Sequence, residues 1–276
     1  MSRRDPPELG CSQRGHPPQR ATRIMKHLPT LLSHEIRMLL VNASTYIAAV
    51  LFLGVMGFVF TGILESYQTS QDMAPAVVFF RLFWLPVFFM VPLLTMKCLA
   101  EERRLGTIET LLTTPVSATE VVLGKFAAAY FMYLLLWLST GGFFYILGRF
   151  VSDSSVLDPG PMIGGYVFVA VSGLLFIALG VFASSLSRSQ AVAGILSFTL
   201  LFALIVGVGF LPEIRALDSE GLRTVRVAID YMQVSEHLDD LSRGVVDLRH
   251  LLFYVSGTIL FLIFSILGVE ARLLHS

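Results

Sequence analysis

Six apolar runs, each about 20 residues long or longer, divide the sequence. Such a run is long enough for a helix to cross the hydrocarbon core of a bilayer, and a helix satisfies its own backbone hydrogen bonds in lipid. We place the runs at residues 45–64, 77–96, 120–147, 164–186, 191–211 and 248–269. The pattern predicts an all-α integral membrane protein with six transmembrane helices.

A shorter amphipathic pattern precedes the first run. Across residues 28–42, apolar side chains recur at helical spacing with polar ones between them, which predicts a helix lying in the membrane interface. Residues 1–27 are rich in Pro, Gly, Arg and Ser, which predicts a disordered tail; the alternative is that translation starts at Met25. The predicted division is therefore a tail over 1–27 and one transmembrane domain over 28–276.

The composition supports a membrane protein. Hydrophobic residues make up 55% of the chain and charged residues only 14%, against about 25% charged in soluble domains. The net charge of zero gives no sign of nucleic-acid binding. Two cysteines, Cys11 and Cys98, are too few for a disulfide framework.

The distribution of Lys and Arg predicts the orientation. Thirteen of the twenty lie in the N-terminal segment, the loop after the second run, the turn after the fourth and the C-terminus. The opposite side has seven, and its long loop over 212–247 also has eight acidic residues. Because basic residues concentrate on the cytosolic side, both termini and the loop at 101–125 are expected in the cytosol.

Within the runs, three residues are candidates for a translocation path: Arg81, Pro86 and Pro92. A charge inside the membrane is costly and often functional, although Arg81 is near enough to the interface to snorkel. The two prolines remove backbone hydrogen bonds and should bend the second run. A bent helix suits a translocation path, but helix packing alone would explain the bend equally well. The short SRSQ sequence after the fourth run predicts a tight turn. Small residues that permit close helix packing occur at Gly141, Gly142, Gly164, Gly165, Gly173 and Gly180.

The segment at 101–125, EERRLGTIETLLTTPVSATEVVLGK, is charged and broken by turns, although it lies between two apolar runs. If Gly106 is an N-cap, Glu109 occupies the N3 position, where a carboxylate favours the helix dipole. Ile108, Leu111 and Leu112 then share one face of a short helix over 107–113.

Two sequence signals mark the C-terminal end of that short helix. The residue before Pro115 avoids the helical region, so the helix should end there. Ser117 and Glu120 then fit a capping box ahead of the next apolar run. The sequence therefore predicts two helical turns with apolar residues that need a partner surface, while the alternative is a merely solvated loop.

This segment resembles the signature region of the membrane subunits of ABC-2-type transporters. It is closest to the branch of gliding-motility and nitrous-oxide-reductase-maturation permeases. The resemblance extends to LLTM at 93–96, SSLSRSQ at 184–190 and SEHLDDLSRGVVDLR at 235–249. It covers the chain from about residue 28 to the C-terminus. One departure is LVNAS at 40–44, where relatives often have Asn-Ser-Pro.

The resemblance implies an all-α permease subunit whose loop between spans two and three is a coupling helix that contacts a separate ATPase subunit. It implies a second permease copy or a related permease, and a multi-pass location in the bacterial inner membrane. Carried over to this sequence, the ATPase-coupling residues are Glu101, Glu102, Arg103, Arg104, Gly106, Thr107, Ile108, Glu109, Leu111, Leu112 and Pro115.

Sequence motifs for catalysis or cofactor binding are lacking. No GxxxxGK[ST] phosphate loop occurs, so ATP and Mg²⁺ are expected on the partner ATPase, and no cofactor on this chain. His34-Glu35 begins like an HExxH zinc motif, but the fifth position is Met38. The acidic and histidine residues at 236–240 spread around a helix, which favours a solvated face over a metal site.

The sequence therefore predicts the permease subunit of an ATP-driven exporter, without an enzymatic site of its own. One alternative is a non-transporting membrane partner of an ABC ATPase in an envelope or motility complex. The other is an intramembrane enzyme, which would need ionisable residues that the apolar runs almost entirely lack.

Overall fold

The computed structural model describes residues 28–69, 75–106, 117–150, 158–210, 231–245 and 247–273. Within these ranges the chain is helical and has no β-strand. Six helical segments are long and apolar enough to cross a membrane: Ala43–Ser66, Trp84–Leu105, Ala118–Arg149, Pro159–Leu186, Gln190–Phe210 and Leu248–Ala271. The predicted all-α membrane fold with six spans is confirmed.

Several spans consist of more than one helix, and we number the helices in chain order. The helices are α1 (Leu28–Val41), α2 (Ala43–Thr69), α3 (Pro75–Arg81), α4 (Trp84–Thr95), α5 (Ala100–Leu105), α6 (Ala118–Ser139), α7 (Gly141–Phe150), α8 (Pro159–Leu186), α9 (Gln190–Phe202), α10 (Val208–Phe210), α11 (Val234–Ser242) and α12 (Leu248–Leu273). A π-helical segment, Ala203–Gly207, joins α9 to α10.

The fourth span, α8, is the centre of the bundle. It packs against α6, α9, α11 and α12, and 72% of its most apolar stretch is buried. In the first, fifth and sixth spans, only 22% to 28% of the most apolar stretch is buried. These three peripheral spans therefore expose apolar side chains, as lipid-facing helices do.

Local sequence signals explain three helix boundaries. The capping box before α6 is present, because Glu120 N donates to Ser117 Oγ at 3.3 Å and Ser117 N donates to Glu120 Oε2 at 2.8 Å. A tight turn separates α8 from α9, where Ser189 N donates to Ser187 Oγ at 3.0 Å. The amphipathic α1 also forms where it was predicted.

The second apolar run differs from the single helix predicted over 77–96. The helix α3 ends at Arg81, and a turn at Leu82 and Phe83 separates it from α4, which begins the second span. The ring of a proline clashes with the carbonyl of the residue four positions earlier, and for Pro86 that residue is Leu82. The expected bend at Pro86 is thus a break, whereas Pro92 is accommodated inside α4.

Glycines permit close packing at four of the six predicted positions: Gly164, Gly165, Gly173 and Gly180. A Cβ at Gly164 would overlap the backbone of Leu241, and a Cβ at Gly165 would overlap the Phe80 ring. A Cβ at Gly173 would overlap the Tyr133 ring. Gly142 differs, because a Cβ there would meet no atom within 4 Å.

We expect Gly180→Ala to destabilise the protein. The added Cβ would overlap the buried side chain of Thr95, whose Oγ1 donates to the carbonyl of Val91 at 2.8 Å. Overpacking of this kind costs about 1 to 3 kcal/mol. Gly54→Ala is the matched control, since its Cβ meets nothing within 4 Å and Ala favours a helix over Gly by about 0.5 to 1 kcal/mol. Thermal unfolding in detergent should rank Gly54→Ala at or above wild type and Gly180→Ala below it; equal values would contradict the packing.

Candidate functional site

A charged network lies where the second and third spans approach the loop at 107–116. Lys125 in α6 is buried, and its Nζ lies 2.7 Å from Glu102 Oε1 and 3.1 Å from Glu35 Oε1. The side chains of Glu102 and Glu35 are only 21% and 17% exposed. One lysine therefore holds together α1, α5 and α6.

Two further contacts fix α5 to the bundle. Ser184 Oγ, in α8, accepts hydrogen bonds from Leu99 N at 3.0 Å and Ala100 N at 3.1 Å. A side chain from another span thus caps the N-terminus of α5, where the helix has no side-chain cap of its own. Arg103 Nη2 donates to the carbonyl of Gly268 in α12 at 3.0 Å.

Gly106 ends α5. Its φ of 69° is left-handed, and its N–H donates to Arg103 O at 3.4 Å. This is the conformation of a glycine that terminates a helix on its C-terminal side. The sequence pattern allows Gly106 to be the N-cap of the following helix, a position whose backbone is typically extended. The structure instead shows it as the C-cap of the preceding one.

Together these residues form a rigid base for the loop, which we call the loop base: Glu35, Glu102, Arg103, Lys125 and Ser184. It connects the two stems of the loop to the amphipathic helix and to the fourth and sixth spans. A displacement of either stem would therefore be transmitted through ion pairs and hydrogen bonds to these helices.

A second polar cluster lies at the opposite ends of the spans, around α11. Arg81 forms a bidentate ion pair with Asp239, with Nε 3.0 Å from Oδ1 and Nη2 2.9 Å from Oδ2. Both side chains are partly exposed. Arg81 is the last residue of α3 and precedes the span Trp84–Leu105. Its charge therefore lies outside that span and is paired with the Asp239 carboxylate.

His237 is the buried member of this cluster. Its Nδ1 lies 3.0 Å from Tyr254 Oη, and its Nε2 lies 3.2 Å from the carbonyl of Tyr231. Burial, and then the neighbouring His250, lower the pKa of His237 to about 4. The ring is therefore neutral near pH 7, with the proton on Nε2 because only a donor can bond to a carbonyl.

In the described ranges, no group of three or more His, Cys, Asp or Glu side chains is arranged to hold a metal ion. Two of the residues at 236–240 point in different directions, as their spacing predicted. Asp239 is paired with Arg81, and His237 is buried against Tyr254.

Comparison with known proteins identifies the family. The family profile described as "ABC-2 family transporter protein" matches residues 60–268, well over half of the chain. The chain belongs to the ABC-2 transporter family. No curated protein matches the chain significantly.

Members of the ABC-2 family are generally membrane subunits of ABC transporters without enzymatic activity of their own, and membership implies a membrane environment and an ABC ATPase partner. The matched region begins inside α2 and ends inside α12. It therefore includes the loop base apart from Glu35.

For this ABC-2 protein the structure describes five of the eleven predicted coupling residues: Glu101, Glu102, Arg103, Arg104 and Gly106. Glu102 and Arg103 belong to the loop base, Glu101 lines a cavity beside it, and Arg104 is exposed. The other six, Thr107, Ile108, Glu109, Leu111, Leu112 and Pro115, lie outside the described residues.

Three residues of the loop base were missed as site residues by the sequence analysis. Glu35 and Ser184 are distant in sequence from the loop, and Lys125 ends the 101–125 segment without being predicted as a coupling residue. One signal for Lys125 was available, since a lysine five residues into an apolar run requires a partner. The sequence alone did not indicate which carboxylates supply it.

Proposed function

We propose that this chain is the permease subunit of an ATP-binding-cassette exporter and that the loop at 101–125 couples it to a separate ATPase subunit. Family membership supports the permease role. The loop base is the observation that supports the coupling role. One stem, α5, is bonded to α8 and α12, and the other, α6, is paired with α1, so a force applied to either stem reaches other helices of the bundle.

The proposal extends to assembly and location. Because six spans form half of the usual two-fold transporter, the chain pairs with a second copy or a related permease. ATP and Mg²⁺ bind the ATPase subunits, not this chain. The chain resides in the bacterial inner membrane with both termini in the cytosol, and it belongs to the gliding-motility and nitrous-oxide-reductase-maturation branch of the family.

Co-purification tests the partner. Expressed together with an ABC ATPase subunit from the same organism, the chain should retain its cognate subunit through affinity purification and stimulate or regulate its ATP hydrolysis. Purified alone, the chain should hydrolyse no ATP, because it lacks a phosphate loop. Hydrolysis by the chain alone, or failure to retain the ATPase under conditions where both are folded, would contradict the proposal.

Cysteine labelling tests the orientation. In a variant without Cys11 and Cys98, a cysteine at Ser154 or Ser219 should react with a membrane-impermeant maleimide in intact cells. A cysteine at Thr113 should react only after the membrane is opened. Labelling of Thr113 from outside would overturn the orientation predicted from the basic residues.

A further inference from the structure

A cavity of about 460 Å³ lies beside the loop base, between α1, the end of the second span and the start of α6. Cavities of 300 to 1,000 Å³ are typical of small-molecule sites. Charged residues from three helices and one turn line it: Glu35 from α1, Lys97 from the turn after α4, Glu101 and Glu102 from α5, and Lys125 from α6.

Three of the four exposed residues that line this cavity are apolar: Met38, Val41 and Leu105, which are 58%, 76% and 62% exposed. The fourth is His34. The apolar run of the second span ends at Met96, and Lys97 is the first charged residue after it. The cavity therefore lies where hydrocarbon gives way to head groups, with apolar side chains at its opening and charges inside.

The charges inside the cavity are unequal. Three carboxylates, on Glu35, Glu101 and Glu102, face two lysines, so the formal sum is one negative charge. Lys125 is already held by Glu35 and Glu102. Lys97 Nζ donates to the neutral amide oxygen of Asn42 at 3.0 Å, and no carboxylate among the described residues forms an ion pair with it. The cavity thus offers one cation and an excess of carboxylate at separate positions.

This arrangement selects among phospholipid head groups. A phosphate suits Lys97, and a primary ammonium, with three N–H donors, suits the carboxylates. A quaternary ammonium has no N–H to donate and is usually held by aromatic rings, yet the lining residues within the described part of the chain include no Phe, Tyr or Trp. A head group with a net negative charge would meet the carboxylate excess.

We propose that the cavity binds a phospholipid whose head group carries a primary ammonium, as phosphatidylethanolamine does, with its phosphate at Lys97 and its ammonium at Glu101. The acyl chains leave across Met38, Val41 and Leu105. The site holds a lipid between the amphipathic helix and the loop base. This inference rests on the cavity and on a membrane location, and it stands or falls independently of coupling to an ATPase.

Native mass spectrometry of the delipidated wild-type protein tests the site by measuring how much of each added lipid the protein retains. Lipids with identical acyl chains are added as a series from phosphatidylethanolamine through its mono- and dimethylated forms to phosphatidylcholine, with phosphatidylglycerol alongside. Bound lipid should decrease with each methyl group and be about tenfold lower for phosphatidylcholine. Equal retention across the series, or preference for phosphatidylglycerol, would overturn the proposal.

Variants locate the site. Lys97→Gln and Glu101→Gln should each reduce phosphatidylethanolamine retention about tenfold. Arg37→Gln is the matched control, because Arg37 is an exposed cation of α1 that does not line the cavity, and it should retain wild-type binding. Soluble phosphoethanolamine should not compete at concentrations equal to the lipid, since it lacks the chains that contact the rim. If it competes fully, or if a basic segment of a co-purified protein occupies the cavity and displaces the lipid, a lipid is not the occupant.

Discussion

Lys125→Met is expected to destabilise the protein more than any other single change in the loop base. The substitution keeps most of the side-chain volume and removes the one cation that Glu35 and Glu102 share. Removing one partner of a buried ion pair costs about 3 to 5 kcal/mol, because the remaining charge is left without compensation. Here two carboxylates remain close together. Thermal unfolding of the purified chain in detergent, followed by circular dichroism, measures the loss.

Two further variants separate electrostatics from packing. Lys125→Arg keeps the cation and should stay close to wild type. Combining Lys125→Met with Glu35→Gln and Glu102→Gln removes all three charges, and stability should recover in large part, since a buried ionic group replaced as a whole is often nearly neutral. A triple variant as unstable as Lys125→Met would show that the volume and shape of Lys125, not its charge, hold the helices together.

The hydrophobic pattern was sufficient to predict the fold. Length and apolar content located all six spans, the amphipathic pattern located α1, and the capping box fixed the start of α6. These features depend on residues near each other in the chain. The second run was predicted to be one helix. The Pro86 ring would clash with the carbonyl of Leu82 in a continuous helix, so the run is broken into α3 and α4.

The loop base depended on contacts between distant residues, and the sequence did not reveal them. Glu35 and Lys125 are 90 positions apart, and Ser184 is 84 positions from the backbone N–H of Ala100 that it caps. Arg81 also has its partner, Asp239, 158 positions away. In each case the residue type suggested that a partner must exist, because buried or membrane-embedded polar groups are costly. The tertiary fold determined which residue it was.

The second large effect is expected from Leu111→Asp combined with Leu112→Asp. The sequence pattern predicts that both leucines share the apolar face of a short helix over 107–113, which we propose enters a groove of the ATPase. An unpaired charge buried at an interface costs several kcal/mol, and each 1.4 kcal/mol is a factor of about ten in affinity. Binding of the ATPase should therefore fall by orders of magnitude, while membrane insertion is unchanged because both residues lie outside every span.

Two companion variants make the result specific. Val245→Asp places the same kind of charge on an exposed apolar residue of the loop predicted to face the outside, and it should leave ATPase binding at wild-type strength. Glu109→Ala removes only an interaction with the helix dipole, worth about 0.3 to 1 kcal/mol. It should weaken coupling without abolishing assembly.

Coupling through the loop is tested most directly by the affinity of the ATPase subunit for the intact chain in lipid nanodiscs. The comparison is between wild type and the Leu111→Asp, Leu112→Asp variant. Coupling through the loop predicts tight binding by wild type, a loss of at least a hundredfold in the variant, and no loss in Val245→Asp. If the double variant binds the ATPase as tightly as wild type, residues 107–113 are not the docking element, and the loop is a solvated or membrane-surface segment.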